Sequence, residues 1–246
     1  MPSPRCCWAM RLDKLLVERG FCPTRTQAQA AIVEGRVLVD GVPAAKAGAE
    51  ISPDAAITVE PGHAYASRGG VKLSHAIETF SIRVAEKIVL DVGASTGGFT
   101  DCLLQLGAST VYAVDVGHGQ LAASLRSDPR VVSLEGTDIR HMPPLPVRFS
   151  LVTVDVSFIS LRLVLPALPA LLQESADLLC LVKPQFEAGR GAVGKGGIVR
   201  DPAVRQAALD GVKDCSVACG FTIRGEIDSP IPGGDGNAEY LLWLTR

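Results

Sequence analysis

DVGASTGGFT, residues 91–100, closes an apolar run that begins at Lys87 (KIVLDVG) and opens a helical one that runs to Gly107 (TGGFTDCLLQLG). A strand, a glycine turn and a helix therefore follow one another. Glycines at 93, 97 and 98 permit a tight turn and close approach of another backbone or a ligand. Their spacing is not the GxGxxG of a dinucleotide site. Working outward, STVYAVDVG, RVVSLEG, FSLVTVDVS and ADLLCLVKP are further strand candidates. They are almost continuously apolar, as strands covered on both faces are. GHGQLAASLR and LRLVLPALPALL supply helices between them, the second bent or broken at Pro166 and Pro169. PAVRQAALDGVKDC, GFTIRGEID and AEYLLWLTR then read as helix, strand and closing strand. The expectation for residues 70–246 is a doubly wound α/β sheet of seven strands with an antiparallel last member.

Residues 10–60 have a different rhythm. RLDKLLVERG places Leu12, Leu15 and Leu16 on one helix face, and Gly20 stops it. Thr24 is positioned to cap a second helix, with Gln27 three residues on to complete a capping box, and Gly35 ends that helix. RVLVDG is an alternating strand with a turn at Asp40-Gly41, and AAITV is a further short strand. This is a small α+β module. Residues 61–69, beginning Pro-Gly, read as a linker.

The 246-residue chain is 47% hydrophobic, yet no run reaches eighteen apolar residues, so no membrane span is expected. The opening MPSPRCCWA has no hydrophobic signal stretch, and patterned sequence begins after Met10. Seven cysteines without a CxxC pair, and only four histidines, speak against structural zinc and for a reducing, cytoplasmic setting. Cys102, Cys180 and Cys215 lie inside apolar patterns and read as core thiols. No metal is expected. A net charge of −2 excludes a wholesale basic coat but not a local patch: Lys183, Arg190, Lys195 and Arg200 face only Glu187 between 183 and 200. The oligomeric state is left open between a monomer and a weak dimer.

Several polar residues interrupt or close apolar segments. Asp91, Asp115 and Asp138 stand at or after three successive strands. One such Asp is as readily a turn cap as a ligand group, but three in succession favour a nucleoside-bearing cofactor. Asp155 and Lys183 end the fourth and fifth strands, Lys72 sits at the start of the preceding helix, and Glu239 opens the last strand. A surface salt-bridge network is the alternative reading of these four. It is the weaker one because Asp155 and Lys183 break otherwise apolar strands. GRGAVGKGG, residues 189–197, approaches a phosphate-binding loop, but Gly196 stands where Ser or Thr is required; a basic lid fits better.

These stretches carry resemblances. RLDKLLVERG, TRTQAQAAIVEGRVLVDG and ITV resemble the S4 RNA-binding domain, which implies RNA contacts from Arg11, Lys14, Arg25, Gln29 and Arg36. With seven basic and seven acidic residues between positions 1 and 60, charge alone leaves a general solvated face open. DVGASTGGFT resembles the first motif of Rossmann-like S-adenosylmethionine methyltransferases. That implies cofactor contacts from Asp91, Gly93, Ser95, Thr96, Gly97, Gly98 and Phe99, with Asp115 on the ribose, Asp138 on the adenine and Asp155 near the methyl group. Lys72, Asp155, Lys183 and Glu239 resemble the catalytic tetrad of FtsJ-like ribose 2′-O-methyltransferases. There the lysine matching Lys183 deprotonates or orients the hydroxyl, a task that needs its pKa drawn down by burial or by a nearby positive charge. Taken with SRGGVKLSHAI, VDVSFISL, LVKPQFE and NAEYLLWL, the chain resembles the TlyA family: an S4-like module joined to an FtsJ-like domain. Members methylate cytidine 2′-hydroxyls in ribosomal RNA, and many carry the label hemolysin. Arg68 and Lys195 join the RNA-contact candidates, and ribosomal RNA or ribosomal subunits are the implied partners.

Other methyl-transfer chemistries leave different marks. Base N-methylation usually shows Asp or Asn with Pro-Pro-aromatic after the fourth strand, where this chain has DVSFIS. Cytosine C5 methylation needs a thiolate beside proline, and Cys180 lacks that setting. Two readings of other classes remain beside the enzyme: a non-catalytic RNA-binding assembly factor that kept the pocket, and a membrane-lytic protein. The second lacks both an apolar span and a strongly amphipathic basic helix.

Overall fold

A computed structural model of the chain describes residues 9–33, 35–60, 64–194 and 196–246. The chain divides into two compact units, Met1–Gly62 and His63–Arg246.

In the first unit, β1 (Met10–Arg11) leads directly into α1 (Leu12–Glu18). Leu12, Leu15 and Leu16 turn inward and are buried. Gly20, at φ +75°, ends the helix: its N–H reaches the Val17 carbonyl and the Phe21 N–H reaches that of Leu16, the paired bonds of a left-handed helix stop. α2 (Arg25–Val33) buries Ala28, Ala31 and Ile32. The capping box at Thr24 is half formed. Gln27 N–H donates to Thr24 Oγ1 at 3.3 Å, but the Gln27 side chain returns to the Thr24 hydroxyl rather than to its backbone. β2 (Val37–Val39) pairs antiparallel with β3 (Val42–Pro43) across Asp40-Gly41, and with β5 (Ile57–Val59). β4 (Glu50–Ile51) pairs with β1, a bridge the sequence pattern did not announce.

The second unit is a seven-stranded sheet between two helical layers. α3 (Gly69–Phe80) precedes β6 (Ile88–Val92). α4 (Gly98–Gln105), β7 (Thr110–Asp115), α5 (Ala123–Arg126), β8 (Val131–Glu135) and β9 (Phe149–Val154) follow. Then come α6 (Leu161–Val164), β10 (Leu172–Val182), α7 (Pro184–Glu187), α8 (Pro202–Ala218), β11 (Thr222–Asp228) and β12 (Tyr240–Thr245). The strand order is β11-β12-β10-β9-β6-β7-β8, with β12 antiparallel to both its neighbours and the pairs from β10 to β8 all parallel. Successive strand residues feed opposite faces. Val89, Leu151, Leu179, Leu181 and Leu241 pack with α3 and α4, whereas Leu90, Val152, Leu178, Cys180 and Leu242 pack with α6 and α8. Burial on both faces explains the unbroken apolar runs.

The helices depart from expectation in two places. GHGQLAASLR forms only the single turn of α5. Its first half is loop, because Glu135 accepts from the N–H groups of Gly119, Gln120 and Leu121 and so satisfies them outside a helix. LRLVLPALPALL is one α-turn and one 3₁₀ turn, Leu165–Ala167, as its prolines require. Cys102 and Cys180 are core thiols as expected, whereas Cys215 is only half-buried.

Candidate active site

The order of strands reverses between β6 and β9, and open α/β sheets receive ligands at such a switch point, outside the carboxyl ends of the strands. The polar residues singled out in the sequence gather at that edge. Gly93 follows β6 at φ +85°, and a Cβ there would stand 2.5 Å from the Asp155 carbonyl oxygen. Only glycine lets these two strand exits approach so closely.

Pro184 opens α7, and the residue before a proline is driven into extended backbone; Lys183 adopts φ −112°, ψ 101°. Its amine lies 2.6 Å from Asp155 Oδ1 and donates to Ser157 Oγ at 2.8 Å. The Asp155 contact is an ion pair off the hydrogen-bond direction, so this buried oxygen lacks an aligned donor. One strand away, Val182 of β10 faces Tyr240 of β12, which puts Glu239 beside Lys183 in register. Glu239 Oε2 is 2.5 Å from Lys72 Nζ, the two side chains 2% and 9% exposed. Lys72 belongs to the inward face of α3 with Leu73, Ala76 and Ile77, so its charge enters the interior to meet the carboxylate. Gly233 makes room for Glu239, since a Cβ on it would lie 2.4 Å from Oε1. The four residues thus form two ion pairs on adjacent strand ends.

A cavity of about 620 Å³ opens beside the first pair. Gly93, Ser95, Asp115, Asp138 and Asp155 line it, as do Ser157 and Phe158. Asp115 is held rigidly, accepting from the N–H groups of Ser95 and Gly117 at 2.7 Å each. Asp138 caps the turn Ile139–His141 and takes the Arg140 guanidinium, whose Nη2 is 2.5 Å away. Arg140 holds this carboxyl down at about 2. The structure does not bring Asp91, Thr96, Gly97, Gly98 or Phe99 to the cavity wall. Asp91 is fully buried and accepts from Thr100 Oγ1 at 2.7 Å and Thr153 Oγ1 at 2.9 Å, tying α4 to β9. Burial pushes its carboxyl up to about 7. Phe99 packs in the core, its ring against Gly69.

The RNA-contact candidates are placed unevenly. Arg11, Arg25 and Gln29 all converge on Asp13, which is fully buried: Arg11 donates from Nε and Nη2, Arg25 from Nη2 at 2.7 Å, and Gln29 from Nε2 at 2.8 Å. Both arginines remain about half exposed around it. Lys14 is exposed. Arg36 donates to the Glu60 carbonyl. Arg68 precedes α3, and its guanidinium lies beside Gly234, five residues before Glu239. Lys195 lies outside the described residues, as do residues 61–63 of the expected linker.

Several residues of the site escaped the sequence reading. Phe158 has φ +64°, is 93% exposed, and its ring stands 5.2 Å from that of Phe186. Ser157 shares the Lys183 amine. Glu187 accepts from Ser160 Oγ and the Leu161 N–H, clamping the loop after β9 to α7. Asn237, buried, accepts from the Val199 N–H and donates to the Gly197 carbonyl, fastening the glycine-rich segment to the loop that carries Glu239. Phe158, immediately after Ser157, was visible as sequence, but its exposure was not. Among the described residues, no three His, Cys, Asp or Glu side chains gather as metal ligands.

Comparison with known proteins identifies the family. The family described as FtsJ-like methyltransferase matches residues 65–246, and the S4 domain matches residues 10–57. The 16S/23S rRNA (cytidine-2′-O)-methyltransferase TlyA of Mycobacterium tuberculosis is 49% identical over 238 residues, 95% of this chain and 89% of that protein. Hemolysin A of Brachyspira hyodysenteriae is 43% identical over 238 residues, 94% and 98% of the two chains. A solved structure from Streptococcus thermophilus, also bearing the name hemolysin, superposes with a TM-score of 0.76 at 41% identity, covering 98% of this chain and 90% of that one. The chain belongs to the FtsJ-like methyltransferases and, among them, to the TlyA family, in which an S4 domain precedes the methyltransferase domain.

Proposed function

We propose that this chain methylates the 2′-hydroxyl of a cytidine in ribosomal RNA, with S-adenosylmethionine as donor, in the cytoplasm. Residues 10–60 hold folded RNA, 61–69 link, and 70–246 carry the chemistry. The observation that carries the reading is the Lys183 amine, held by Asp155 and Ser157, which line the cavity, with a second, buried Lys–Glu pair at the next strand end. The TlyA relative's activity supports the substrate assignment.

The cavity fits the donor. Asp115 keeps free lone pairs for a vicinal diol while two N–H bonds fix its orientation. Asp138 suits an exocyclic amine, and the glycine turn leaves the cavity open at Gly93. When bound, S-adenosylmethionine supplies an electrophilic methyl group. Lys183 would accept or orient the proton of the ribose hydroxyl, whose oxygen would receive the methyl group that S-adenosylmethionine supplies. Asp155 holds the amine in place and answers its charge once protonated. The Lys72–Glu239 pair fixes the neighbouring wall. Phe158 offers its exposed ring to the target base once that base is turned out of its stack, a contact worth about 1–3 kcal/mol.

On the RNA-holding unit, Arg11 and Arg25 keep outward-facing donors for phosphate beyond those given to Asp13, and Lys14 and Arg36 extend the basic edge. No helix of the described residues is long and apolar enough to cross a membrane. The test is incorporation of labelled methyl groups into ribosomal subunits by purified chain. Lys183→Ala is expected to abolish incorporation while RNA binding persists. Incorporation undiminished in Lys183→Ala would overturn the assignment of this amine, and binding without incorporation by the unsubstituted chain would favour an assembly factor.

A further inference from the structure

A second cavity, of about 390 Å³, is lined by Arg205, Asp228, Ser229, Pro232, Glu239 and Tyr240 among others, and shares no lining residue with the first. Asp155 lines one cavity and Glu239 the other, so the two ion pairs of the candidate active site stand between them. Arg205 lies in the first turn of α8, and its Nε is buried with no hydrogen-bond partner. Among the described residues neither Arg205 nor Asp228 has an ion-pair partner, although they line the same cavity. A buried guanidinium N–H left unsatisfied costs free energy until something accepts from it. The cavity thus offers an unsatisfied guanidinium N–H, an exposed carboxylate acceptor, and walls of proline and tyrosine.

This chemistry selects among ligands. Asp228 offsets the charge of Arg205 and Lys72 already answers Glu239, so the cavity carries no net positive charge to draw a phosphate. A neutral, flat group with both acceptor and donor edges satisfies Arg205 and Asp228 together and stacks on apolar walls. A nucleobase has these properties, and arginine forks onto base acceptors are a common base-specific contact. The volume is within the range of small-ligand sites. We infer that this cavity seats the base of a nucleotide neighbouring the methylated one, with Arg205 reading its acceptor edge and Asp228 its donor edge. The inference rests on the RNA ribose-methylation reading above and adds to it a site of sequence choice.

The test uses the full chain, S-adenosylmethionine and ribosomal subunits reconstituted with base substitutions at the nucleotides flanking the methylated position. The unsubstituted chain is expected to discriminate at one flanking position by roughly tenfold, the size of a single guanidinium–base contact. Arg205→Ala is expected to raise KM for RNA by about as much, with kcat and S-adenosylmethionine affinity nearly unchanged, and to erase the base preference. Arg205→Lys keeps the charge, so it guards against a folding defect; it too is expected to lose the preference, with a smaller rise in KM. Unchanged KM and unchanged preference in both variants would overturn the inference. So would a raised KM with the preference intact, which marks a phosphate contact. Absence of 2′-O-methyl product from the unsubstituted chain would refute the activity reading itself, and the pocket's role with it.

Discussion

Removing Lys72 separates a structural bolt from a catalytic group. Its ammonium meets Glu239 at 2.5 Å, and the two side chains are 9% and 2% exposed. Lys72→Ala leaves that carboxylate buried without its counter-charge, a loss of about 3–5 kcal/mol for a broken buried pair. For a domain of this size each kcal/mol moves Tm by about 2–4 °C, so a fall of roughly 6–20 °C is expected by thermal unfolding. The double variant Lys72→Met/Glu239→Gln removes both charges and keeps the shape that Gly233 accommodates. It is expected to regain at least half of the lost Tm, because a buried pair contributes little net stability beyond a neutral replacement. Methyl transfer is expected to fall about 100-fold or more in both variants, the scale of a lost acid–base or positioning group. Methyl transfer returning with stability in the double variant would refute a catalytic role for the pair. An unshifted Tm in Lys72→Ala would refute the burial argument.

Three further expectations follow from single residues. Gly93→Ala forces a side chain into left-handed backbone and against the Asp155 carbonyl; a loss of at least about 2 kcal/mol in thermal unfolding is expected, with weakened binding of S-adenosylhomocysteine by calorimetry. Arg11, with Arg25 and Gln29, holds the Asp13 carboxyl well below the usual carboxylate range against the opposing effect of burial. Its contribution is therefore complete above the unfolded value near 4 and is lost as pH falls below it, so hydrogen exchange of α1 and α2 in the intact chain is expected to accelerate below about pH 4, and less steeply in Asp13→Asn. Asp91 runs the other way. Burial lifts it to about 7, so the neutral form stabilises the fold at low pH and that gain is lost as pH rises through 7. Asp91→Asn is expected to gain Tm relative to the parent between pH 5 and pH 8, and a constant difference across that range would contradict the shift.

The sheet was legible because its central strands are buried on both faces, and KIVLDV, FSLVTV and LLCLV carry no polar face to misread. Asp155 and Lys183 were legible for the same reason, since they stand out against apolar neighbours, whereas the ion pairs they and Lys72–Glu239 make are visible only in the fold. Phe99 shows where the reading failed. A resemblance assigned it to the cofactor, yet its spacing with Cys102 and Leu103 marks the inner face of α4, where the structure places it. Asp13 was not singled out in the sequence, for a different reason. In RLDKLL it looks like one more charge on a solvated helix face, and nothing local reveals that Arg11, Arg25 and Gln29 come to it from two elements. Arg11 and Arg25, read as reaching outward to RNA, also neutralise a buried carboxylate. Phe158 escaped because exposure is a property of the loop's path, which Glu187 sets from α7.

The central claim is that the Lys183 amine, beside Asp155, serves a ribose oxygen and no base atom. The direct measurement is nucleoside analysis of ribosomal RNA methylated by the purified chain: complete digestion, then mass spectrometry that separates sugar-methylated from base-methylated nucleosides. The expected product is 2′-O-methylcytidine, lost in Lys183→Ala. A methyl group on a base, or 2′-O-methylcytidine formed at an undiminished rate by Lys183→Ala, would contradict the account.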